Sequence, residues 1–75
     1  MSPATSRVRN RIRELRQRHG EMTQQELAER VGVTRQTVNA IEGGKYSPSL
    51  EVAFRIAEIL EEPLDQVFQH GGASG

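Results

Sequence analysis

The pattern that most constrains this chain is a pair of capped, amphipathic segments separated by two residues. Thr23 precedes Glu26 by three positions, the spacing of a capping box, and Leu27, Ala28 and Val31 follow as an apolar stripe. Gly32 stands where a left-handed backbone ends a helix cheaply. Thr34 then offers a second N-cap, and Val38 and Ile41 set an inward face on the next helix. Two short helices joined by so tight a glycine turn leave the second with one face against its partner and one face outward.

The rest of the chain is also predicted to be helical. A first helix is expected over about residues 9–19, with Val8, Ile12, Leu15 and His19 on one stripe and Gly20 just past its end. Gly43 and Gly44 stop the third helix, and Lys45-Tyr46-Ser47-Pro48 reads as a loop. A fourth helix runs from near Ser49 to about Glu61. Its inner stripe is Leu50, Ala53, Ile56, Ala57 and Leu60, and Val52, Phe54 and Ile59 widen the apolar surface beyond one face. Pro63 fits the first position of a last short helix carrying Leu64, Val67 and Phe68. Two-residue alternation is confined to short pieces around Val8 and Val67–Gln69, enough for a two-stranded ribbon from the chain ends. The expected fold is thus all-α, a compact five-helix domain over residues 7–69, with flexible tails at 1–6 and 70–75.

Composition narrows the function. At 75 residues without cysteine, disulfides and thiolate metal sites are excluded, and a reducing cytoplasm suits the chain. No apolar run approaches membrane-spanning length, so no membrane association is expected. The only histidines, His19 and His70, lie far apart. No metal-ligand spacing and no phosphate loop exist, so neither a catalytic site, a metal nor a cofactor is expected. His19 reads as a packed or capping residue. The formal net charge of zero hides an asymmetry: residues 1–20 hold six arginines against Glu14, whereas the last third is acidic. Such a division suits a polyanion on one side, although on charge alone a solvated arginine face is the simpler account.

The outward face of the third helix is more specific. Gln36, Asn39, Ala40 and Gly43 fall within an arc of about 100°, with Arg35 at the helix start. Glutamine and asparagine pair with adenine in a major groove and arginine with guanine, while small residues let the backbone approach the bases. An ordinary exposed face carries Lys and Glu; residues 34–41 contain one charge and no acid, as a surface facing phosphates requires.

The stretch from Met22 to Lys45, MTQQELAERVGVTRQTVNAIEGGK, resembles the DNA-binding domain of the Cro/repressor, or XRE, family. The likeness extends from about Arg9 to Phe68. It is carried by the alanine of the second helix, the turn glycine, the Thr-Arg-Gln start of the third helix and its Ile-Glu-x-Gly end. Pro48–Ala57 and Pro63–Phe68 are similar to small stand-alone members. Glu21 reads as an insertion, and Gly43 stands where asparagine is common. The resemblance implies a cytoplasmic transcriptional regulator that binds double-stranded operator DNA as a homodimer on a palindrome, acting as a repressor. It assigns base reading to Arg35, Gln36, Thr37, Asn39 and Ala40. It assigns phosphate contact to Thr23, Gln24, Gly43, Lys45 and Tyr46. The arginines of residues 7–13 would add affinity through counterion release.

Two further expectations concern assembly and stability. Arg16 and Glu42 each lie about 40° from the centre of their apolar stripes, too near a core for free solvation; the resemblance supports pairing them as a structural ion pair. The surplus apolar surface of Val52 and Ile59, with Leu64, Val67 and Phe68, points to a dimer interface. The competing function class is a protein-interaction or antitoxin-like module whose acidic C-terminal half binds a basic partner protein.

Overall fold

The computed structural model describes residues 8–70; the expected N-terminal tail, Arg7 and residues 71–75 lie outside the described residues. The elements are β1 (Val8–Asn10), α1 (Ile12–Arg18), α2 (Gln24–Val31), α3 (Arg35–Glu42), α4 (Leu50–Leu60), α5 (Leu64–Val67) and β2 (Phe68–His70). Five helices surround one core and the two strands close an antiparallel ribbon, with Val8 opposite His70, Arg9 opposite Gln69 and Asn10 opposite Phe68.

Local chemistry sets the helix ends. The Glu26 N–H donates to Thr23 Oγ1 at 3.0 Å and the Thr23 N–H to Glu26 Oε1 at 2.8 Å, a complete capping box. Thr34 caps α3 by accepting from the Thr37 N–H at 3.1 Å, and Ser49 caps α4 by accepting from the Val52 N–H at 3.2 Å. Side-chain caps of this kind each stabilise by about 1 kcal/mol. Gly32 ends α2 at φ 92°, the left-handed geometry its missing Cβ permits. Gly43 is right-handed at φ −80°, so its backbone makes no such demand for glycine.

The core gathers Ile12, Leu15, Met22, Leu27, Ala28, Val31, Val38, Ile41, Ile56, Ala57, Leu60 and Val67. Each amphipathic helix contributes its inward stripe, so α2 and α3 are braced by α1, α4 and α5 rather than by each other alone. No helix among the described residues is long and apolar enough to cross a membrane.

The structure corrects several expectations. The first helix begins at Ile12, not residue 9, because Val8–Asn10 pair with β2 and leave the helical register. The Asn10 carboxamide fixes this change: its Oδ1 accepts from the Ile12 N–H at 3.1 Å, while its Nδ2 donates to the Ile41 carbonyl at 2.9 Å. Pro63 precedes α5 as its N-cap instead of lying inside it, whereas His19, half-buried as the C-cap of α1, takes the capping place expected of it. His70 belongs to β2, so the ordered ribbon extends one residue into the expected tail.

Two apolar assignments change for packing reasons. Leu50, expected inside, is 68% exposed, because the first turn of α4 overhangs the edge of the core beside Pro48. Val67, expected at a dimer surface, is fully buried, because α5 turns back onto the core and its carbonyl accepts from the Arg11 N–H at 2.9 Å. Val52, Ile59, Leu64 and Phe68 are half-buried against the core.

Candidate nucleic-acid interface

Burial divides α3 along its length. Val38 and Ile41 are buried; Arg35, Gln36 and Asn39 are exposed; Thr37 and Ala40 lie between them, half-buried. The Thr34 cap holds the first turn, and the Thr34 and Thr37 hydroxyls share a hydrogen bond at 2.9 Å. Tyr46, 52% exposed, comes back from the following loop to line a shallow hollow with Thr34, Gln36, Thr37 and Ala40. Lys45 is exposed, and its N–H donates to the Ala40 carbonyl at 3.0 Å, which ties the loop to the end of the helix.

A second hollow is polar. Arg13, Arg16, Gln24, Asn39, Glu42 and Gly43 line it, bringing the start of α2 and the end of α3 together. Arg16 organises this region. Its Nε donates to Glu42 Oε2 at 2.6 Å and its Nη2 to Glu42 Oε1 at 3.1 Å, while Nη1 donates to the Met22 carbonyl at 2.7 Å. The Gln24 Nε2 donates to Glu42 Oε1 at 3.0 Å and to Asn39 Oδ1 at 3.3 Å. The Gln24 side chain is therefore engaged within the protein, whereas the first amides of α2 have no helical carbonyl to bond and point out of the helix end.

Charge is unevenly paired around this face. The one acid of α3, Glu42, is withdrawn: its side chain is 8% exposed and faces Arg16. Glu26, in the first turn of α2, is held below the usual carboxylate range by the backbone N–H of Thr23 and then by its hydroxyl. Glu14 is likewise lowered, first by its hydrogen bond with Arg11 and then by the charges of Arg11 and Arg18; Arg11 is raised reciprocally. Arg11 and Arg18 both pair with Glu14, whereas among the described residues Arg9 and Arg13 have no ion-pair partner. Arg13 borders the polar hollow. By sequence it groups with the other arginines of residues 7–13; its place beside Asn39 and Gly43 comes from the packing of α1 against the end of α3.

The remaining predicted residues lie apart from this face. Leu64 and Phe68 line an apolar depression with Val8, Pro48, Leu50 and Ala53, and Phe54 stands 53% exposed on the same helix as Leu50. Sequence reasoning missed Leu50 as a surface group, whereas Phe54 is expected beyond the inner face and is exposed there. Helical spacing places Leu50 on the inner stripe, and only the end of the packed core shows that it has no cover.

Comparison with known proteins agrees with this arrangement. A family model described as helix-turn-helix matches residues 12–67. An uncharacterized HTH-type transcriptional regulator of Methanothermobacter thermautotrophicus is 56% identical over 62 residues, covering 81% of this chain and 88% of its own. Another from Archaeoglobus fulgidus is 48% identical over 61 residues, covering 81% of this chain and 86% of its own. A crystal structure of a "putative DNA-binding protein" from Bacteroides fragilis superposes with a TM-score of 0.72 at 27% identity, covering 83% of this chain and 98% of that one.

Proposed function

The chain belongs to the XRE-type helix-turn-helix family of DNA-binding transcriptional regulators, and from that premise we propose that it is a cytoplasmic repressor that binds a palindromic operator as a homodimer. The observation that carries this reading is the outward face of α3: Arg35, Gln36 and Asn39 are exposed, and the only carboxylate of the helix is turned inward onto Arg16. A groove-facing surface without a free acid can approach the bases without phosphate repulsion.

In this reading Arg35 and Gln36 occupy the first turn, the part that meets base edges when such a helix enters the major groove. Gln36 reads a base directly, Arg35 reaches guanine or the flanking phosphate, and Thr37, Asn39 and Ala40 complete the surface. The start of α2 takes one phosphate through the Gln24 N–H and the Thr23 hydroxyl, since the Thr23 N–H is held by Glu26. Gly43, Lys45 and Tyr46 follow the backbone beyond α3, with Arg13 across the polar hollow. Dimerisation through the apolar surface of Leu50, Phe54, Leu64 and Phe68 would set two α3 helices one turn of DNA apart, roughly 34 Å. A dimer so placed occludes a promoter.

Selection from a random duplex pool, followed by mobility shifts at low and moderate salt, tests the reading. Recovery of an inverted repeat bound far more tightly than random duplex is expected. Weak binding to every sequence, together with capture of a basic protein by the exposed acids Glu58, Glu61 and Asp65, would favour the protein-interaction module instead.

A further inference from the structure

Hydrogen-bond polarity passes outward from Arg16 to the surface of α3. A guanidinium only donates and stays charged. Its Nε and Nη2 meet both oxygens of Glu42, which act as acceptors. Gln24 stands 3.0 Å from Glu42 Oε1, so the end of its carboxamide facing that oxygen is the NH2 group. The same nitrogen is 3.3 Å from the carboxamide of Asn39, and facing a donor, Asn39 must present Oδ1. Carboxamide orientation is ordinarily ambiguous between oxygen and nitrogen; here each orientation follows from the one before it. Both hydrogens of Gln24 Nε2 are then committed, and Asn39 Nδ2, with its two N–H donors, is left for the exposed face of α3.

We propose that Gln24 is a positioning residue that holds Asn39 as a donor-only reader, so that Asn39 selects guanine over adenine in the major groove. An asparagine free to turn pairs with adenine through one donor and one acceptor, at N7 and the N6 amino group. With Oδ1 turned towards Gln24, the end left outward is Nδ2, and the side chain is held out of the orientation that presents its acceptor and donor together to adenine. Guanine offers two acceptors side by side, N7 and O6, which suit the donors that remain. For Gln24 itself the only atom left free on the side chain is Oε1, an acceptor, so its contact with a phosphate runs through the backbone N–H. This inference rests on the reading of α3 as the base-contacting helix.

Selection from a random duplex pool with the full chain tests it. The position read by Asn39 is the one that loses stringency in Asn39→Ala. The parent is expected to prefer guanine over adenine there by about tenfold or more. Gln24→Met keeps the length of the side chain and removes its donors; the guanine-to-adenine ratio should fall about fivefold or more at that position alone. Gln25→Met, whose side chain instead meets Glu29, should match the parent. In Asn39→Asp the inner oxygen still accepts from Gln24 and the outer one can accept from cytosine N4, so the preference should turn towards cytosine. If Gln24→Met does not fold, as judged by melting, the Asn39→Asp result decides. A parent that prefers adenine at this position, an unchanged ratio in folded Gln24→Met, or no change of base in Asn39→Asp would each overturn the proposal. A parent without preference at any position would instead defeat the reading of α3.

Discussion

Arg16 and Glu42, 26 residues apart in the chain, meet in a two-point contact at 2.6 and 3.1 Å, and the same guanidinium takes the Met22 carbonyl. One side chain of α1 thereby fixes both the approach to α2 and the end of α3. The pair is poorly solvated, with 11% and 8% of the two side chains exposed, and it removes the one acid of α3 from the outward face. Stability and the character of the DNA-facing surface thus depend on the same contact.

Glu42→Gln should be strongly destabilising. It leaves the Arg16 charge without its partner in a largely buried site, at a cost of roughly 3–5 kcal/mol. Thermal melting followed by circular dichroism should show Tm falling by about 10 °C or more. An unchanged curve would mean that water or another residue compensates the charge.

Gln36→Ala and Lys45→Ala should fail in different ways. The first should cost about 1–3 kcal/mol on the operator and relax preference at one base pair per half-site. The second should weaken binding to all sequences alike and flatten the salt dependence by about one unit for each phosphate no longer neutralised. Selected motifs and salt titrations, compared with the parent, separate the two; equal stringency in Gln36→Ala would remove Gln36 from base reading.

Phe54→Asp should separate the dimer. Phe54 is 53% exposed, so its replacement leaves the core intact while placing a charge on the apolar surface shared with Leu50. Sedimentation at micromolar concentration should find the parent dimeric and the variant monomeric, with operator affinity reduced about tenfold or more. A parent that sediments as a monomer would end the dimer proposal.

The capping box should make stability pH-dependent on the acid side. Hydrogen bonds from the Thr23 backbone and hydroxyl lower the Glu26 pKa from 4.5, so the folded state favours the ionised form. The resulting stabilisation is complete above the unfolded value and is lost as pH falls through the lowered folded value. Glu14, lowered by Arg11 and Arg18, acts in the same direction. The Tm difference between the parent and Glu26→Gln should therefore be full near neutrality and shrink as the solution is acidified below pH 4.5. A difference that grows on acidification would contradict this.

The helix-turn-helix and the composition of the α3 surface follow from local sequence. Caps at Thr23, Thr34 and Ser49 and the stop at Gly32 act within one turn of the chain, and the period of Leu27, Val31, Val38 and Ile41 specifies which face is buried. Other features depend on neighbours distant in the chain. Alternation around Val8 and Val67–Gln69 allows a ribbon, but its register, and the departure of Asn10 from the first helix, depend on distant partners: β2 and the Ile41 carbonyl. Leu50 and Val67 change places between surface and core because a stripe gives the direction of a side chain and not the extent of the core above it. The orientation of Asn39 depends on Gln24, Glu42 and Arg16, three residues from three places in the chain that only packing brings within hydrogen-bonding distance. Propensity and period act over a few residues; the polarity of a shared hydrogen-bond network belongs to the assembled fold.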